Sequence, residues 1–451
     1  MPNSIINKIK LVIGAFFVFA FVFALSKPAE ATVYDVTPGS ACSLSDAIVA
    51  AGNPGGYGAC AGGGPSNTIN VGAGVYTIIG SLPDVNYDGD LSIVGENPTT
   101  TILDGNASNA GLRIDPPSDG NNYLISNLTF RNFVSLESGP YDFRTALATY
   151  RGNMAVNNII VRNNQCSNPN IPVCTLFGNR GDANTIFSMT NSSFYYNFGG
   201  FLFAQGTFDS ENNGDITLNM INNTLSNNNS GAFNITNISS GATVVANLIN
   251  NTIANNAGLG FDGIFVLNFN YPGTTTYPVS VNLKNNIFYA NNVDTGGGSC
   301  PTTLKPGDSI ISQGGNLSSD SSCLSYFISS DKSNVDPLLN VLTLDNGTYV
   351  RPLAANSPAI GSAISSGAPS TDQRGVTRPQ GGSYDSGAYE YNGPGVPSGG
   401  TPYPPAGYLV GTGRDLRWIL IASAFLIASG SVFAYKSFHQ SRQSKKNHQK
   451  S

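Results

Sequence analysis

"MINNTLSNNNSG" occupies residues 220–231, and "LINNTIANNAG" occupies residues 248–258. Each holds one apolar residue, Leu225 or Ile253, among asparagines. The same Asn-x-x-apolar frame recurs at Asn127 with Phe130, Asn158 with Val161, Asn191 with Phe194 and Asn285 with Phe288. Taken in order, the six asparagines are 31, 33, 31, 28 and 35 residues apart. A period of about 20 to 50 residues marks a solenoid, a propeller or an array. Between the anchors lie short alternating or β-branched runs such as Ile216 to Met220, Thr243 to Ala246 and Val279 to Leu283, separated by Gly, Asn and Ser. None carries a sustained helical apolar stripe, which excludes helical repeats. Propeller blades have longer units and signature motifs that this chain lacks. The pattern predicts an all-β parallel β-helix, one coil of short strands per repeat.

In such a coil equivalent positions stack at about 4.8 Å. Leu225 is therefore expected to stack near Ile253 and help fill a continuous core. Asparagine tolerates left-handed backbone at a bend between strands, and its amide can bond the next amide along the stack. The asparagines read as structural, and sequons such as Asn234-Ile-Thr follow from this composition.

The two ends differ from the repeat. Lys8 and Lys10 precede an apolar run from Leu11 to Leu25, and Ala29-Glu30-Ala31 follows. This is the pattern of a secretory signal peptide, predicting residues 1–31 as leader and a mature start near Thr32. Near the other end Trp418 to Tyr435 is an uncharged apolar run of 18 residues, long enough to span a bilayer as a helix. Lys436, Arg442, Lys445, Lys446 and Lys450 follow it, predicting a cytoplasmic tail at 436–451 and an extracellular body. Residues 392–417 are a stalk, Pro- and Gly-rich over "NGPGVPSGGTPYPPAGYLVG" at 392–411. The body, residues 32–413, carries 12 Lys and Arg against 25 Asp and Glu, a net charge of −13. Nucleic acid is excluded as a partner on that balance.

Six cysteines are an even set in an exported body. They fall into three local pairs, Cys42 with Cys60, Cys166 with Cys174, and Cys300 with Cys323. Metal binding is not expected: there is no CxxC spacing, and both histidines, His439 and His448, lie in the tail. An open solenoid must cover its end coils. "ACSLSDAIVAA" at 41–51 predicts a short amphipathic helix, capped by Ser43 or Ser45, with Leu44, Ile48 and Ala51 on one side.

"CSLSDAIVAA" resembles the CSLREA motif near the start of many exported bacterial β-helix proteins, with Ser45 and Asp46 where Arg and Glu are usual. "SLPDVNYDGDLSIVG" followed by "TILDGN", at 81–106, resembles the start of a pectate-lyase-like β-helix. "VDPLLN" (335–340), "NSPAIGSA" (356–363), "DQRGVTRP" (372–379) and "DSGAYEY" (385–391) resemble the choice-of-anchor Q domain, with Gly361 where that family has Asp. The resemblance covers most of residues 41–391. It implies a right-handed parallel β-helix over 32–391, with 41–60 as N-terminal cap and 335–391 as closing region, displayed on a cell surface. It implies no single reaction. Leu409 to Gly413, "LVGTG", resembles a sortase signal of the LPxTG type with Val in place of Pro, so wall anchoring competes with a retained span.

Two function classes fit. The first is a non-enzymatic, adhesin-like surface protein binding an extracellular glycan or protein on its solenoid face. Arg131 and Arg162 share a register position directly after Phe130 and Val161, and are candidates for a basic strip facing an acidic polymer. Tyr195-Tyr196, and Tyr271 with Tyr277, are aromatic clusters of the kind that stack on sugars, and they read equally as coil packing. The second is a polysaccharide lyase or glycoside hydrolase. Hydrolysis needs two carboxylates facing one cleft, and lyases of this fold need Ca²⁺ ligands and a base. The body has no His and only Lys284, Lys305 and Lys332 as lysines. Asp209, Glu211 and Asp215 lie close in sequence but are explained equally by a polar loop. Asp84-x-Asn86-x-Asp88-Gly89 imitates a Ca²⁺ loop whose twelfth position is Gly95, so a turn is expected instead. Asp372, Arg374 and Arg378 read as a structural salt-bridge cluster. No catalytic residue, cofactor or metal is assigned.

Overall fold

Alternation decides the long strands. In Ile216–Ile221 the side chains of Ile216, Leu218 and Met220 are buried and those between them half-buried. Val244–Ile249 and Val279–Lys284 repeat the pattern. The computed structural model describes residues 31–393 apart from 135, 140–141, 145, 166–172, 180–181, 199, 207–213, 230–232, 238–241, 257–263, 269–277, 292–297 and 302. Residues 1–30 of the expected leader at 1–31, most of the expected stalk, and the Trp418 to Tyr435 run lie outside the described residues. Among those described, no helix is long and apolar enough to cross a membrane.

The strands build three parallel sheets. The first has ten strands, from Thr32–Val36 to Ser309–Ser312. The second has nine short ones, from Gly74–Thr77 to Leu317–Ser318. The third has six, from Leu112–Ile114 to Ile264–Asn268. Along the chain one strand of each sheet is visited in turn, so neighbours within a sheet are one coil apart: a parallel β-solenoid. The six expected anchors stack in register, Phe130 beside Val161, then Phe194, Leu225, Ile253 and Phe288. Each is at most 3% exposed, so together they form one apolar column.

Asparagine does two jobs at the bends. Asn127, Asn158, Asn191, Asn222, Asn250 and Asn285 join first-sheet strands to second-sheet strands with φ between 51° and 57°. Most residues pay about 1–2 kcal/mol for that conformation, and asparagine pays less. One position later Asn223, Asn251 and Asn286 are fully buried. The Asn223 Nδ2 donates to Asn251 Oδ1 at 3.0 Å, that of Asn251 to Asn286 Oδ1 at 3.1 Å, and that of Asn286 to Asn316 Oδ1 at 3.0 Å. Each amide also donates to a main-chain oxygen, of Met189, Met220 and Leu248 respectively. Each of the next three Oδ1 atoms accepts a main-chain N–H from the coil below.

A second buried ladder, Asn164–Asn197–Asn228–Asn256–Asn291, flanks the far side of the second sheet with donor–acceptor distances of 2.9 to 3.1 Å. Two amide columns thus satisfy the polar main chain that each sharp bend would otherwise leave unpaired inside.

At the N-terminal end helix α1, Leu44–Ala51, buries Leu44, Ala47 and Ile48 over the first coil. Ser43 caps it, its Oγ accepting the Asp46 N–H at 3.1 Å, and the Cys42–Cys60 disulfide ties the cap down. At the other end Leu304, Tyr326 and Phe327 pack on the main core beside the Cys300–Cys323 disulfide. Of the third pair, Cys174 lies in strand Val173–Asn179 and Cys166 lies outside the described residues.

Residues 335–391 do more than end the solenoid. They turn back and meander across the outside of the second sheet as a strap. The need for cover is visible in that sheet. Ile160, Tyr195 and Ile287 point away from the main core and carry apolar bulk. Leu342 and Tyr349 pack on the first two, and Val350, Leu353, Ala359 and Tyr389 cover the third. Gln373 acts as a clasp, its Nε2 donating to Ser193 Oγ at 2.9 Å and Thr348 Oγ1 at 2.7 Å, its Oε1 accepting Thr224 Oγ1 at 2.6 Å.

Two substitutions separate the roles of asparagine. Asn158 has φ 51° and one side-chain bond, to Asn127 at 2.9 Å; Asn158→Gly is expected to cost no more than about 1 kcal/mol, since glycine accepts that backbone freely. Asn223→Gly breaks the buried ladder and leaves main-chain partners unpaired, for a loss of about 2–4 kcal/mol. Leu225→Ala should cost about 2–5 kcal/mol. Urea unfolding of the three variants checks the order, and equal losses at Asn158 and Asn223 would contradict it.

Candidate functional site

Arg131 and Arg162 occupy one register position on neighbouring strands, as their spacing predicts. The same column continues below to Asp104 and above to Tyr195. Its charge is partly neutralised, because Arg131 Nε donates to Asp104 Oδ2 at 2.7 Å. Burial works against the Asp104 charge. The Asn106 N–H, the Asn132 amide and the Arg131 guanidinium outweigh it and hold the carboxyl below its ordinary value. The strip therefore includes a part-buried ion pair, Arg131 with Asp104, near the N-terminal end of the second sheet.

The tyrosines do not extend it. Tyr195 is fully buried, its ring 4.6 Å from that of Tyr349 and 5.7 Å from that of Tyr196. Its face is filled by the strap, so it cannot stack on a sugar; Tyr196 adopts φ 52° at the following bend and packs beside it. Tyr271 and Tyr277 lie outside the described residues, as do Asp209 and Glu211. Asp215 accepts the Thr243 N–H and hydroxyl, both at 2.8 Å, which makes it a coil-to-coil tie. In the Asp84 to Gly89 segment the carboxylates diverge: Asp84 pairs with Arg113 at 3.2 Å, while Asp88 accepts the Ser118 hydroxyl at 2.6 Å. Among the described residues no three His, Cys, Asp or Glu converge on a common point.

A groove of about 670 Å³ opens between the end of α1 and the segment that follows the first coil, lined by Val49, Gly52, Asn53, Leu82, Asp84 and Tyr87. The Tyr87 hydroxyl donates to Ile48 O at 3.1 Å, and burial raises its pKa further from neutrality. It is a packing group there, unsuited to proton transfer.

The densest charged cluster lies within the strap. Arg374 pairs with Asp372 at 2.7 Å and with Asp345 at 2.8 Å, and its guanidinium lies 3.5 Å over the Tyr389 ring. Arg378 pairs with Glu390 at 2.6 Å and donates to the main-chain oxygens of Asp385 and Gly387. Asp372 and Glu390 are fully buried. Their remaining oxygen capacity is used by main-chain N–H groups of Val376 and Gln380. Apart from Arg378 Nε, which is buried without a partner, the charged groups of the cluster are consumed within it, in keeping with the structural part that the sequence assigns to Asp372, Arg374 and Arg378. The sequence reading passed over Gln373 and Arg351. The signal was available at Gln373, a neutral polar residue between two charged ones, but its partners on the second sheet, Thr224 and Ser193, lie 149 and 180 residues away along the chain.

Asp385, buried beside this cluster, gives a pH test. Burial pushes its carboxyl up to about 6, against the Gly361 and Tyr391 N–H groups that favour the charged form. The folded value lies above the unfolded one of about 4. Between those values the folded chain keeps a proton that the unfolded chain releases. The contribution is full below about pH 4 and is lost as pH rises to about 6, with a slope of at most about 1.4 kcal/mol per pH unit. The wild-type chain is therefore expected to gain stability relative to Asp385→Asn as pH falls from 6 to 4. A pH-independent difference in urea midpoints would show an ordinary carboxyl.

No protein-family model matches the chain, and no curated protein matches it. The solved structure titled "Crystal structure of pectate lyase Pel9A" aligns with 80% of this chain and 96% of its own, at 16% identity and a TM-score of 0.32.

Proposed function

We propose that the chain is an exported, membrane-held surface protein, with a right-handed parallel β-helix outside the cell that binds an extracellular glycan or protein without transforming it. The observation that carries this reading is the disulfide at each end of the solenoid, Cys42–Cys60 and Cys300–Cys323. Such bonds persist in oxidising compartments, and both fall between the leader at 1–31 and the apolar run at Trp418 to Tyr435. Parallel strands of one sheet joined by a crossover are right-handed in about 98% of cases, which supports the handedness. The motifs that resemble the choice-of-anchor Q domain are the ones that form the strap, where their charged residues are consumed by packing.

Proteolysis of intact cells tests the topology. The body at 32–391 is expected to be digested or shed from outside, while a tag placed after Ser451 stays protected. Leu420→Arg with Leu426→Arg, at about 2.5–3.5 kcal/mol per charge in the bilayer centre, is expected to release much of the protein. A body protected in intact cells overturns the reading. Loss of the tag with the body joined to wall material moves the anchor to Thr412-Gly413. Release of unsaturated or reducing sugars from pectin-like polymers, lost on mutating Asp209 or Glu211, overturns the non-enzymatic part.

A further inference from the structure

The two long faces of the solenoid are treated differently. The second sheet is covered by the strap. The outer face of the first sheet is crossed by no described segment, although Ser366 of the strap meets Lys284 at its margin, and its outward side chains, Ser126 excepted, are half-buried or exposed from Asn122–Ser126 to Val279–Lys284. Exposed sheets normally carry charges that keep them from sticking. Here every outward position within the strands from Asn122 to Asn282 is Asn, Ser, Thr or aliphatic; charges stand only at the margins, Asp215 just before Ile216, Asp90 one coil below and Lys284 at the end of the last strand. The body holds 25 acidic groups, yet none falls within these strands, and Asp215 at the rim is tied to the Thr243 N–H and hydroxyl. Depletion of charge at the centre of a surface patch is the compositional mark of an interface.

The face is also pre-ordered. Asn219, Asn247 and Asn282 lie opposite one another on successive strands. The Asn247 Nδ2 donates to Asn219 Oδ1 and the Asn282 Nδ2 to Asn247 Oδ1, both at 2.9 Å. A primary amide has two N–H donors and two acceptor lone pairs, so among the described residues each ladder member keeps at least one of each for an outside partner. Aliphatic side chains such as Ile186, 51% exposed, and Val245 alternate with these amides. The arrangement repeats once per coil at about 4.8 Å. Side chains already fixed by a ladder have little rotamer freedom left to lose on binding.

We propose that the outer face of the first sheet is a binding site for an uncharged polysaccharide. A charged polymer finds no counter-ion here, and an anionic one meets a body of the same sign. A neutral glycan fits: hydroxyls meet the spare amide donors and acceptors, and the C–H faces of the rings lie on the aliphatic side chains. A flat face of regular period suits a chain of regular period better than a single small molecule. The site is separate from the Arg131–Arg162 strip. It rests on the surface-display reading only for access to its ligand in the cell, and a binding assay with purified protein stands or falls without regard to topology.

The experiment is co-sedimentation of the purified full-length chain in detergent with insoluble neutral glycans (cellulose, chitin, β-1,3-glucan), with soluble polygalacturonate as the anionic probe in affinity electrophoresis. Binding to at least one neutral glycan is expected, with none to polygalacturonate. Thr217→Lys places a charge on the face outside the ladder, and Asn247→Asp places one within it. Each is expected to weaken the binding by about tenfold or more through a charge left unpaired at the interface. Thermal unfolding of Thr217→Lys is expected to match wild type, so a folding defect at Asn247 leaves the test intact. Arg131→Ala is expected to bind normally. The proposal is overturned if no neutral glycan is bound, if both face variants bind as well as wild type, or if Arg131→Ala alone abolishes binding. It is equally overturned if analytical ultracentrifugation shows a dimer that Thr217→Lys dissociates, because a second copy would then cover the face.

Discussion

A buried amide that turns its oxygen and one hydrogen to one coil and its other hydrogen to the next is the interaction on which this solenoid depends. Each coil must bend sharply on both sides of a three-residue strand such as Thr224–Ser226. A sharp bend inside a stack strands N–H and C=O groups where water cannot reach them. Asn223 and Asn228 resolve this on the two sides of the strand, each accepting an N–H from the coil below and donating to a carbonyl there. Only with those groups satisfied can Leu225 and its column partners remain dry. The apolar column supplies the gain from burial, and the amide columns make the burial affordable.

Much of this was legible in the sequence because it is periodic. The Asn-x-x-apolar frame gave the coil length, the inward column and the first row of left-handed bends. The second row, which includes Asn132, Asn163, Asn227 and Asn255, lies in the same quoted lines but is interrupted by Tyr196 and Ala290, and a single-residue frame does not show it. The division of labour within each Asn-Asn pair was also hidden. Adjacent identical residues differ only in backbone conformation and burial, and neither is written in composition.

The candidate site was less legible for a related reason. Tyr195 reads as a surface aromatic because its own coil offers nothing to cover it. The cover comes from Leu342 and Tyr349, in a segment with no repeat and no shared register. Arg131 and Arg162 were placed correctly relative to each other, since register is local information. Whether they were free was not local, because the Asp104 partner of Arg131 sits one coil away. Long-range cover and pairing fixed what each side chain does, while local pattern fixed only where it lies.

The strap also bears on how long the solenoid is allowed to be. An open stack of coils has no preferred number, and gene segments that encode near-identical repeats are prone to gain or lose a unit. In this protein the strap meets different coils at fixed points: Gln373 at Ser193 and Thr224, Arg351 at Ser226 and Asn227, Gly387 at Asn285, and Ser386 at Gly315. One extra coil between Thr224 and Asn285 would shift every later contact by a full repeat while the strap kept its length. The strap therefore acts as a ruler, and the copy number of the repeat is set by a segment that is not itself repetitive.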